Sequence, residues 1–505
     1  MSQPSNFKGL GLQGLNRNTG RSQLASADAW ISKNVRAFKG LLEASPGVTS
    51  FTAVALSGRV LVIRGWEKDN QDLVETIYTE QKIYKVDPFT GVVTDITRLS
   101  GNYTGSVTQL IDTAVGFDHI FSTNGIDPPQ KWDGVVANAS DIGGTPGVAE
   151  TIAVGISYCM LGNIAGDVRG IKWSDSGAFE TWVGGDAGTL TLYQGPGGVL
   201  RILPLGEVMI AYRDSSIHLL FFVGSPFIWG QRQIVTDHGL IAPRAVVAVQ
   251  GRHLYWGTDN VYLFDGSSRV PVADKIIDQM NESFDPSFRK MILAFTDLPS
   301  REVYFAYPGV GDNGVNKQAW VWSWATGGWR QEEGEFTASG SWRRRTSDTW
   351  ATATQTWTQR TQAWNFTQFL DKAPVTIVGT DGGKLNFIDV GSVDNLGVGR
   401  ERLFETGLFA PFEGDNRQAT LERIDIEQEN MGGHNLEIWI GTQNTLTGDA
   451  GIVWTQYTLP ANGATRTIGI RKTARYFALR LRTAGAAESF RVSGVIPYFT
   501  ARGDR

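Results

Sequence analysis

The sequence predicts an all-β protein built on a β-propeller, because one short pattern recurs along most of the chain and helical periodicity is almost absent. Each copy is a strand ending in an aromatic or bulky apolar residue, followed by a polar turn. The first five copies lie about 45 residues apart, the length of a four-stranded blade. The seven copies are Ile83–Asp87, Gln130–Gly134, Ile171–Gly177, Ser216–Leu219, Val261–Gly266, Ala319–Ser323 and Gly382–Asp389. They predict about seven blades, with six or eight as alternatives.

The composition of the chain favours the same fold. The 60 glycines, 17 tryptophans and 19% charged residues fit many short strands joined by tight turns, because glycine adopts the positive φ that such turns need. Arg59–Arg64 and Glu302–Tyr307 are rich in β-branched and aromatic residues. Val208–Tyr212 is apolar throughout, as expected for a strand buried on both faces.

The chain divides into three zones. Residues 1–50 form an N-terminal arm with one predicted helix from Asp28 to Phe38, capped by Ser26 or Asp28. Residues 51–395 hold the blades, interrupted at 341–369 by an insertion rich in Trp and Thr. Residues 396–505 contain alternating strands without the turn pattern, which predicts a C-terminal β-sandwich or jelly-roll-like domain.

Charge and apolar patterning exclude two classes of protein. The net charge of −5 argues against a protein that grips nucleic acid through many phosphate contacts, since such binding draws on clustered Lys and Arg. The first residues lack a signal-peptide core, and the longest apolar run, Leu219–Trp229, is too short to span a bilayer. We expect synthesis in a reducing cytosol without membrane insertion, and Cys159 as a buried, inert thiol.

Motifs for catalysis or metal binding fail on their context. The histidines show no metal-ligand spacing, and a single cysteine does not support a zinc site. Aspartates recur near the predicted blade turns, where we expect them to cap the turn rather than form a glycosidase pair. Gly9–Gly14 matches the dinucleotide fingerprint but no buried strand precedes it. The sequence therefore predicts no enzyme, cofactor or metal. The residues concerned are His119, His218, His238, His253 and His434, with Asp118, Asp133, Asp175, Asp214, Asp259 and Asp265.

Three tryptophans of the insertion, Trp350, Trp357 and Trp364, are spaced seven residues apart. Thr is abundant between them and Leu is absent, which argues against a coiled coil. Packing of each Trp within the chain is the favoured interpretation, followed by a subunit contact and then by a platform for a sugar or base.

A set of segments follows in a fixed order along the chain: Ala27–Arg36 with Gly40–Glu43 and Pro46–Gly47, Trp132–Gly134, Trp173–Asp175 with Trp182, Gly239–Val246, Leu263–Gly266 and the Trp repeat around Trp357. Their order resembles the tail hub or nozzle proteins of tailed bacteriophages, also called packaged-DNA stabilisation proteins. The first group is similar to the family's approach to its first blade. The resemblance covers most of residues 25–390 and none of the C-terminal hundred residues. The family's Trp repeats carry acidic residues, where Thr and Gln stand here.

The resemblance implies a structural virion protein of the phage tail, made in the bacterial host cytoplasm. Such proteins form a homo-oligomeric ring, typically a hexamer, in the head-tail connector below the portal and its adaptor. Other tail proteins are further partners, and genomic DNA passes through the ring during ejection without sequence-specific binding. On this basis Trp30, Trp350, Trp357 and Trp364 are the candidate subunit-interface residues. The arm and the insertion are expected at ring or adaptor contacts, and the C-terminal domain at the periphery or at the next tail component.

Two other classes stay open at the level of sequence. One is a propeller that binds a receptor or polysaccharide, or cleaves a sugar, which the abundant Trp permits. A deep pocket with two facing carboxylates beneath an exposed Trp would favour it. The other is a cellular scaffold propeller, which usually has more regular blade repeats.

Overall fold

Seven four-stranded antiparallel blades follow one another along the chain and close into a propeller. The computed structural model describes residues 3–4, 7–8, 10–51, 55–70, 72–87, 91–342, 374–389, 393–412, 417–428, 434–460 and 466–502. Blade 1 comprises Val60–Glu67, Leu73–Thr79, Ile83–Val86 and Val93–Asp95; blade 2 comprises Asp112–Gly116, His119–Thr123, Gln130–Trp132 and Ser140–Asp141; blade 3 comprises Ala149–Gly155, Tyr158–Ile164, Asp167–Trp173 and Gly188–Thr191. Blade 4 comprises Val199–Leu205, Val208–Arg213, Ile217–Gly224 and Ile228–Val235; blade 5 comprises Val246–Val249, Arg252–Trp256, Val261–Phe264 and Arg269–Pro271. Blade 6 comprises Leu293–Asp297, Glu302–Tyr307, Gln318–Ser323 and Trp329–Glu333; blade 7 comprises Ala338–Trp342, Val375–Gly379, Leu385–Asp389 and Gly47–Ser50.

The recurring sequence pattern marks the third strand of every blade, so the prediction of a propeller with about seven blades is confirmed. The aromatic residue at the end of this strand fixes the turn that follows. The indole Nε1 of Trp132 donates to the carbonyl of Val136, and that of Trp173 to the carbonyl of Asp186, each at 2.7 Å. Both rings are also buried against a neighbouring blade. Packing and turn formation therefore require the same residue at this position.

Blade 7 contains strands from both ends of the propeller. The strand Gly47–Ser50 pairs antiparallel with Leu385–Asp389 and supplies the fourth strand of this blade. On the inner side, Ala338–Trp342 contacts Val60–Glu67 of blade 1. Non-covalent pairing thus closes the ring, and residues 47–50 of the predicted arm belong to a blade.

The predicted helix over 28–38 is wrong, because these residues form three short strands: Asp28–Ala29, Ile31–Lys33 and Val35–Phe38. Asn34 interrupts them at a positive φ of 54°, and its main-chain N–H donates to the carbonyl of Gln331 in blade 6 at 2.9 Å. Hydrogen bonds to distant strands satisfy the backbone N–H and C=O groups that a helix would have paired within itself.

The C-terminal sandwich combines strands from both ends of the chain. Its first sheet runs Thr467–Ala474, Ala419–Gln428, Arg491–Ala501, Leu41–Ala44 and Val35–Phe38, with Gln3–Pro4 and Phe7–Lys8 also paired to Arg491–Ala501. Its second sheet continues blade 6 outward through Ile31–Lys33, Arg402–Glu405, Tyr476–Thr483, Leu436–Gln443 and Val453–Leu459. The sandwich and the propeller therefore share one sheet, with an arm strand at the junction.

The remaining elements are few. The described chain has one α-helix, Ile277–Ser283, in the link between blades 5 and 6, and it is too short to cross a membrane. Short 3₁₀ helices lie at Arg21–Gln23, Pro286–Met291 and Asp449–Gly451, and Gly14–Leu15 pairs in parallel with Asp28–Ala29. Apolar clusters fill the spaces between successive blades, and one continuous cluster joins blades 4 to 6 to the sandwich. Burial between blades and against the sandwich thus stabilises the whole body.

Candidate functional site

A buried arginine crosses the inner opening of the propeller. Arg244 lies in the link between blades 4 and 5, and only 7% of it is exposed. Its carbonyl accepts a hydrogen bond from the N–H of Ala294 in blade 6 at 2.7 Å. Its guanidinium Nη1 donates to the carbonyl of Leu61, on the inner strand of blade 1, at 2.6 Å. The side chain therefore obstructs the opening and ties together distant parts of the ring.

A second polar network joins the inner strands of blades 2, 3 and 4. Arg201 forms an ion pair with Asp112 at 2.6 Å. The other carboxylate oxygen of Asp112 accepts hydrogen bonds from the Thr151 hydroxyl and the Ile152 N–H. The Thr151 hydroxyl in turn accepts from the N–H of Ile202 at 3.3 Å. The network therefore ties together the inner strands of three successive blades.

Two further ionisable groups, Arg64 and Glu75, belong to blade 1 near the same opening. Part of Arg64 is exposed, but the many protein atoms around its guanidinium exclude water. This desolvation, followed by the nearby charge of Arg201, lowers the pKa of Arg64. Burial raises the pKa of Glu75 to about 8, although the charge of Arg64 opposes the shift. Most Glu75 side chains are thus protonated at neutral pH. The opening consequently has more positive than negative charge.

Trp30, the one predicted interface residue that lies among the described residues, joins the arm to the C-terminal sandwich. The guanidinium carbon of Arg17 lies 3.8 Å from the centroid of its ring. Its Nε1 donates to Asp449 at 3.3 Å. Arg21 forms ion pairs with Asp449 and with the buried Glu405. Trp30 is half-buried in this cluster, and its role as a subunit contact stays a prediction.

The other three predicted interface residues, Trp350, Trp357 and Trp364, lie outside the described residues. The insertion that carries them connects Ala338–Trp342 to Val375–Gly379, the first two strands of blade 7. Trp342 pairs with Val375, and in an antiparallel blade these two strand ends lie at the same end of the propeller as the turns between third and fourth strands.

An apolar hairpin lies at that same end, and sequence reasoning did not assign it a role. Strands Ile217–Gly224 and Ile228–Val235 extend beyond their neighbours in blade 4. At their tip Phe227 is 77% exposed, and Phe222 and Val223 are about half exposed. The signal in the sequence is the apolar run Leu219–Trp229, which is too long for one blade strand and too short for a membrane span. Exposed aromatic residues at a hairpin tip are typical of contact surfaces.

Of the six aspartates predicted to cap blade turns, Asp133 and Asp265 do so, whereas Asp118 accepts from the N–H of Asp69 in blade 1 and Asp259 from the Tyr262 hydroxyl. Asp133 accepts hydrogen bonds from the N–H groups of Val135 and Val136, each at 2.8 Å. Asp265 accepts from the N–H and hydroxyl groups of Ser267 and Ser268, which lower its pKa. These carboxylates therefore stabilise turns.

His218, His238, His253 and Cys159 are buried in the described chain. His253 shares a hydrogen bond with the Tyr212 hydroxyl at 2.8 Å, and burial lowers its pKa to about 4. Cys159 is fully buried, which raises the pKa of its thiol and confirms it as a buried residue. The described residues contain no cluster of three His, Cys, Asp or Glu side chains suited to hold a metal ion.

An open depression of about 510 Å³ lies beside the link between blades 5 and 6. Phe284 and Ile241 supply apolar lining, and Arg289 and Lys290 supply two positive charges. The residues that line it include no Asp or Glu. Its chemistry differs from the paired carboxylates expected of a glycosidase.

Comparisons with known proteins give structural likeness only. No family model matches the chain, and no curated protein matches it in sequence. A solved chain of the mitotic checkpoint complex is similar at a TM-score of 0.40, with 10% identity, over 68% of this chain and 94% of that chain. A structure of YCF48 bound to D1 peptide is similar at a TM-score of 0.38, with 11% identity, over 68% of this chain and 100% of that chain. The Pan2 WD40 domain of Neurospora crassa is similar at a TM-score of 0.35, with 10% identity, over 68% of this chain and 94% of that chain.

Proposed function

We propose that the chain is a structural virion protein of a tailed phage. Its copies form the hub or nozzle ring below the portal-adaptor and line the channel through which DNA is ejected. The observation that carries this proposal is the order of the sequence features that resemble the tail hub family. The segments Ala27–Arg36, Gly40–Glu43 and Pro46–Gly47 lead directly into the strand that closes blade 7. Of the later ones, Trp132–Gly134 lies at blade 2, Trp173–Asp175 at blade 3, and Gly239–Val246 and Leu263–Gly266 at the link into blade 5 and at blade 5 itself, while the Trp repeat lies outside the described residues.

The blocked axis of the propeller supports a channel between copies of the chain. Arg244 obstructs the opening of the single propeller, so a ring of several copies provides the passage. A lumen suited to ejection passes the duplex without retaining it. The net charge of −5 fits this requirement, because a mildly acidic surface gains little from counterion release on contact with phosphates.

The shared sheet between blade 6 and the sandwich supports a role in assembly. Ile31–Lys33 pairs with blade 6 on one side and with Arg402–Glu405 on the other. The arm strand thereby joins the propeller and the sandwich into one continuous sheet. The joined body presents loops and the sandwich to neighbouring copies, while propeller closure protects the strand edges from pairing between chains.

Negative-stain imaging of the purified full chain, alone and with the portal-adaptor, tests the proposal. We expect rings with a central channel, formed by the chain alone or on the adaptor. An electrophoretic assay with duplex DNA at physiological salt should show no stable complex. Single propellers that ignore the adaptor and bind surface polysaccharide would favour the receptor-binding alternative instead.

A further inference from the structure

The second sheet of the sandwich ends in an edge strand that lacks the usual protection against pairing. This edge strand, Val453–Leu459, pairs with Leu436–Gln443 over seven residues without a shift in register. On its other side no strand of the described chain pairs with it. It holds no charged residue, proline or glycine, and Val453 is 66% exposed. Such an edge presents a row of main-chain N–H and C=O groups to a further strand.

The other outer strands of the described chain are guarded or short. The outer strand of the first sheet of the sandwich, Thr467–Ala474, carries Lys472 and Arg471, the latter at a positive φ of 55°, and its register is shifted. The outer strand of blade 4 contains Arg232 and also has a shifted register. Those of blades 1, 2, 3, 5 and 7 have at most four residues. Charges, bulges and short strands keep edges from pairing, so the edge strand stands out as a surface for a partner strand.

The edge strand projects sideways from the propeller. It is the fifth strand beyond Trp329–Glu333, the outer strand of blade 6, in one continuous sheet. At about 4.8 Å between neighbouring strands, it lies up to about 24 Å beyond that blade. The ring of Trp454 packs against Arg480 of the same sheet, with the guanidinium carbon 4.0 Å from the ring centroid. The edge strand is therefore held in place at a distance where a neighbouring copy can reach it.

The polarity of the proposed ring decides which kind of strand can pair there, so this step rests on the proposed function. A ring bound to an adaptor by one face holds all copies in the same orientation, and neighbours then meet through two different surfaces. Pairing of the edge strand with the same strand of a second copy would instead relate the two copies by a two-fold axis. The partner strand must therefore come from a different segment of the neighbour.

Residues 349–359 of the insertion have a sequence that fits this edge. The segment holds no charged residue, proline or glycine, and both Thr and Trp favour strands. Four of its threonines alternate along the sequence and would share one face of a strand: Thr352, Thr354, Thr356 and Thr358. The segment and the edge strand also share Trp-Thr-Gln, at 357–359 and 454–456. Cross-strand pairs of Thr and aromatic residues are stabilising and bring no charge repulsion.

The insertion is long enough to reach a neighbouring copy. Trp342 pairs with Val375, so residues 343–373 begin and end at one point of blade 7. Half of that length, fully extended, spans up to about 50 Å. We propose that residues 349–359 of one copy pair with the edge strand of the next copy, as an added strand of its sandwich. This pairing is a lateral contact of the ring.

Disulfide cross-linking between two different variants of the full chain tests this contact. Gln456→Cys places a thiol at an exposed position of the edge strand, and Thr356→Cys places one in the insertion, while the native Cys159 is fully buried. The two purified variants are mixed, with the portal-adaptor present, and oxidised. Because each chain carries one new thiol, a disulfide between positions 356 and 456 forms only between copies. Mass spectrometry of the linked peptides identifies it.

The matched control replaces Gln456→Cys with Thr467→Cys, an exposed position on the guarded outer strand of the other sheet. We expect at least about ten times more of the mixed disulfide from Gln456→Cys than from this control. Thr458→Lys, added to Gln456→Cys, places a charge on the edge strand and should lower the yield about fivefold or more. The circular dichroism spectrum of each variant shows whether it is folded.

Absence of the mixed disulfide in folded protein would overturn the proposal. If rings still form in negative-stain images of that sample, the proposed function stands and only the contact is wrong. A disulfide of Gln456→Cys with a second Gln456→Cys chain, in place of the mixed one, would put the same strand of two copies together and also overturn the proposal. The mixed disulfide in a sample without closed rings would support the contact and count against the hub.

Discussion

The guanidinium of Arg244 donates a 2.6 Å hydrogen bond to the carbonyl of Leu61, although the two residues are 183 positions apart in the sequence. Leu61 belongs to the first blade of the propeller, and Arg244 precedes the fifth. The bond is buried, so water cannot replace either partner without entering the opening. A single side chain thus both blocks the axis and links distant parts of the ring.

Replacing Arg244 with Ala should lower the free energy of unfolding by about 1–3 kcal/mol, because the carbonyl of Leu61 loses its buried donor. Urea unfolding followed by circular dichroism measures the change. Arg252→Ala, at an exposed position, is the control and should change the free energy by less than about 0.5 kcal/mol. Equal stability of the two variants would contradict a structural role for the bond.

Gly47→Ala should loosen the strand that closes blade 7. A methyl group at Gly47 would overlap the carbonyl oxygen of Asp394, and backbone cannot move aside as a side chain can. We expect a loss of about 1–3 kcal/mol and faster amide exchange in the partner strand Leu385–Asp389. Gly382→Ala is the control, because open space surrounds that glycine. Unchanged exchange in Leu385–Asp389 would show that the closing strand tolerates the methyl group.

Glu75 should make stability depend on pH. Its pKa is raised from 4.5 to about 8 in the folded chain by burial. Below pH 4.5 Glu75 is protonated in both the folded and the unfolded chain, so its ionisation does not oppose folding. Between pH 4.5 and pH 8 the unfolded chain loses this proton while the folded chain keeps it, so the free energy of unfolding falls as the pH rises. The free energy of unfolding of Glu75→Gln, relative to that of the wild type, should therefore increase by a few kcal/mol between pH 5 and pH 8. Urea midpoints at both pH values measure this, and a constant difference between the two proteins would contradict it.

Trp30→Ala should weaken the junction between the arm and the sandwich by about 1–2 kcal/mol, because it removes the ring stacked on Arg17 and the donor to Asp449. Trp30→Phe keeps a ring for Arg17 and should cost less. If Trp30 also contacts a neighbouring subunit, the folded Ala variant forms fewer rings than the wild type in negative-stain images. If the Trp30→Ala variant forms as many rings as the wild type, Trp30 does not contribute to the subunit contact and acts only within the chain.

The propeller was predictable because its signal is local. The third strand of each blade carries an aromatic or bulky residue that packs between blades and, as in Trp173, fixes the next turn. These demands repeat in every blade and appear in consecutive residues. The turn-capping role of Asp133 is similarly local, since its partners Val135 and Val136 are two and three residues away.

The arm and the inner opening could not be predicted in the same way. Ile31–Lys33 is a strand because Gln331 and Leu403–Glu405 flank it, partners hundreds of residues away that periodicity does not reveal. Arg244 lies in a link without a motif, and its partner Leu61 resembles any other core residue. The arm also holds the sandwich together through Gln3–Pro4 and Phe7–Lys8. Deleting it would therefore damage the fold, so point variants are better tests of a role in assembly.

The mass of the purified chain by native mass spectrometry, alone and mixed with the portal-adaptor, tests the central claim most directly. A hub protein should give a closed homo-oligomer, with six copies as the expected number, either alone or on the adaptor. A chain that stays monomeric in both samples and instead binds surface polysaccharide would contradict the account and support a receptor-recognising propeller.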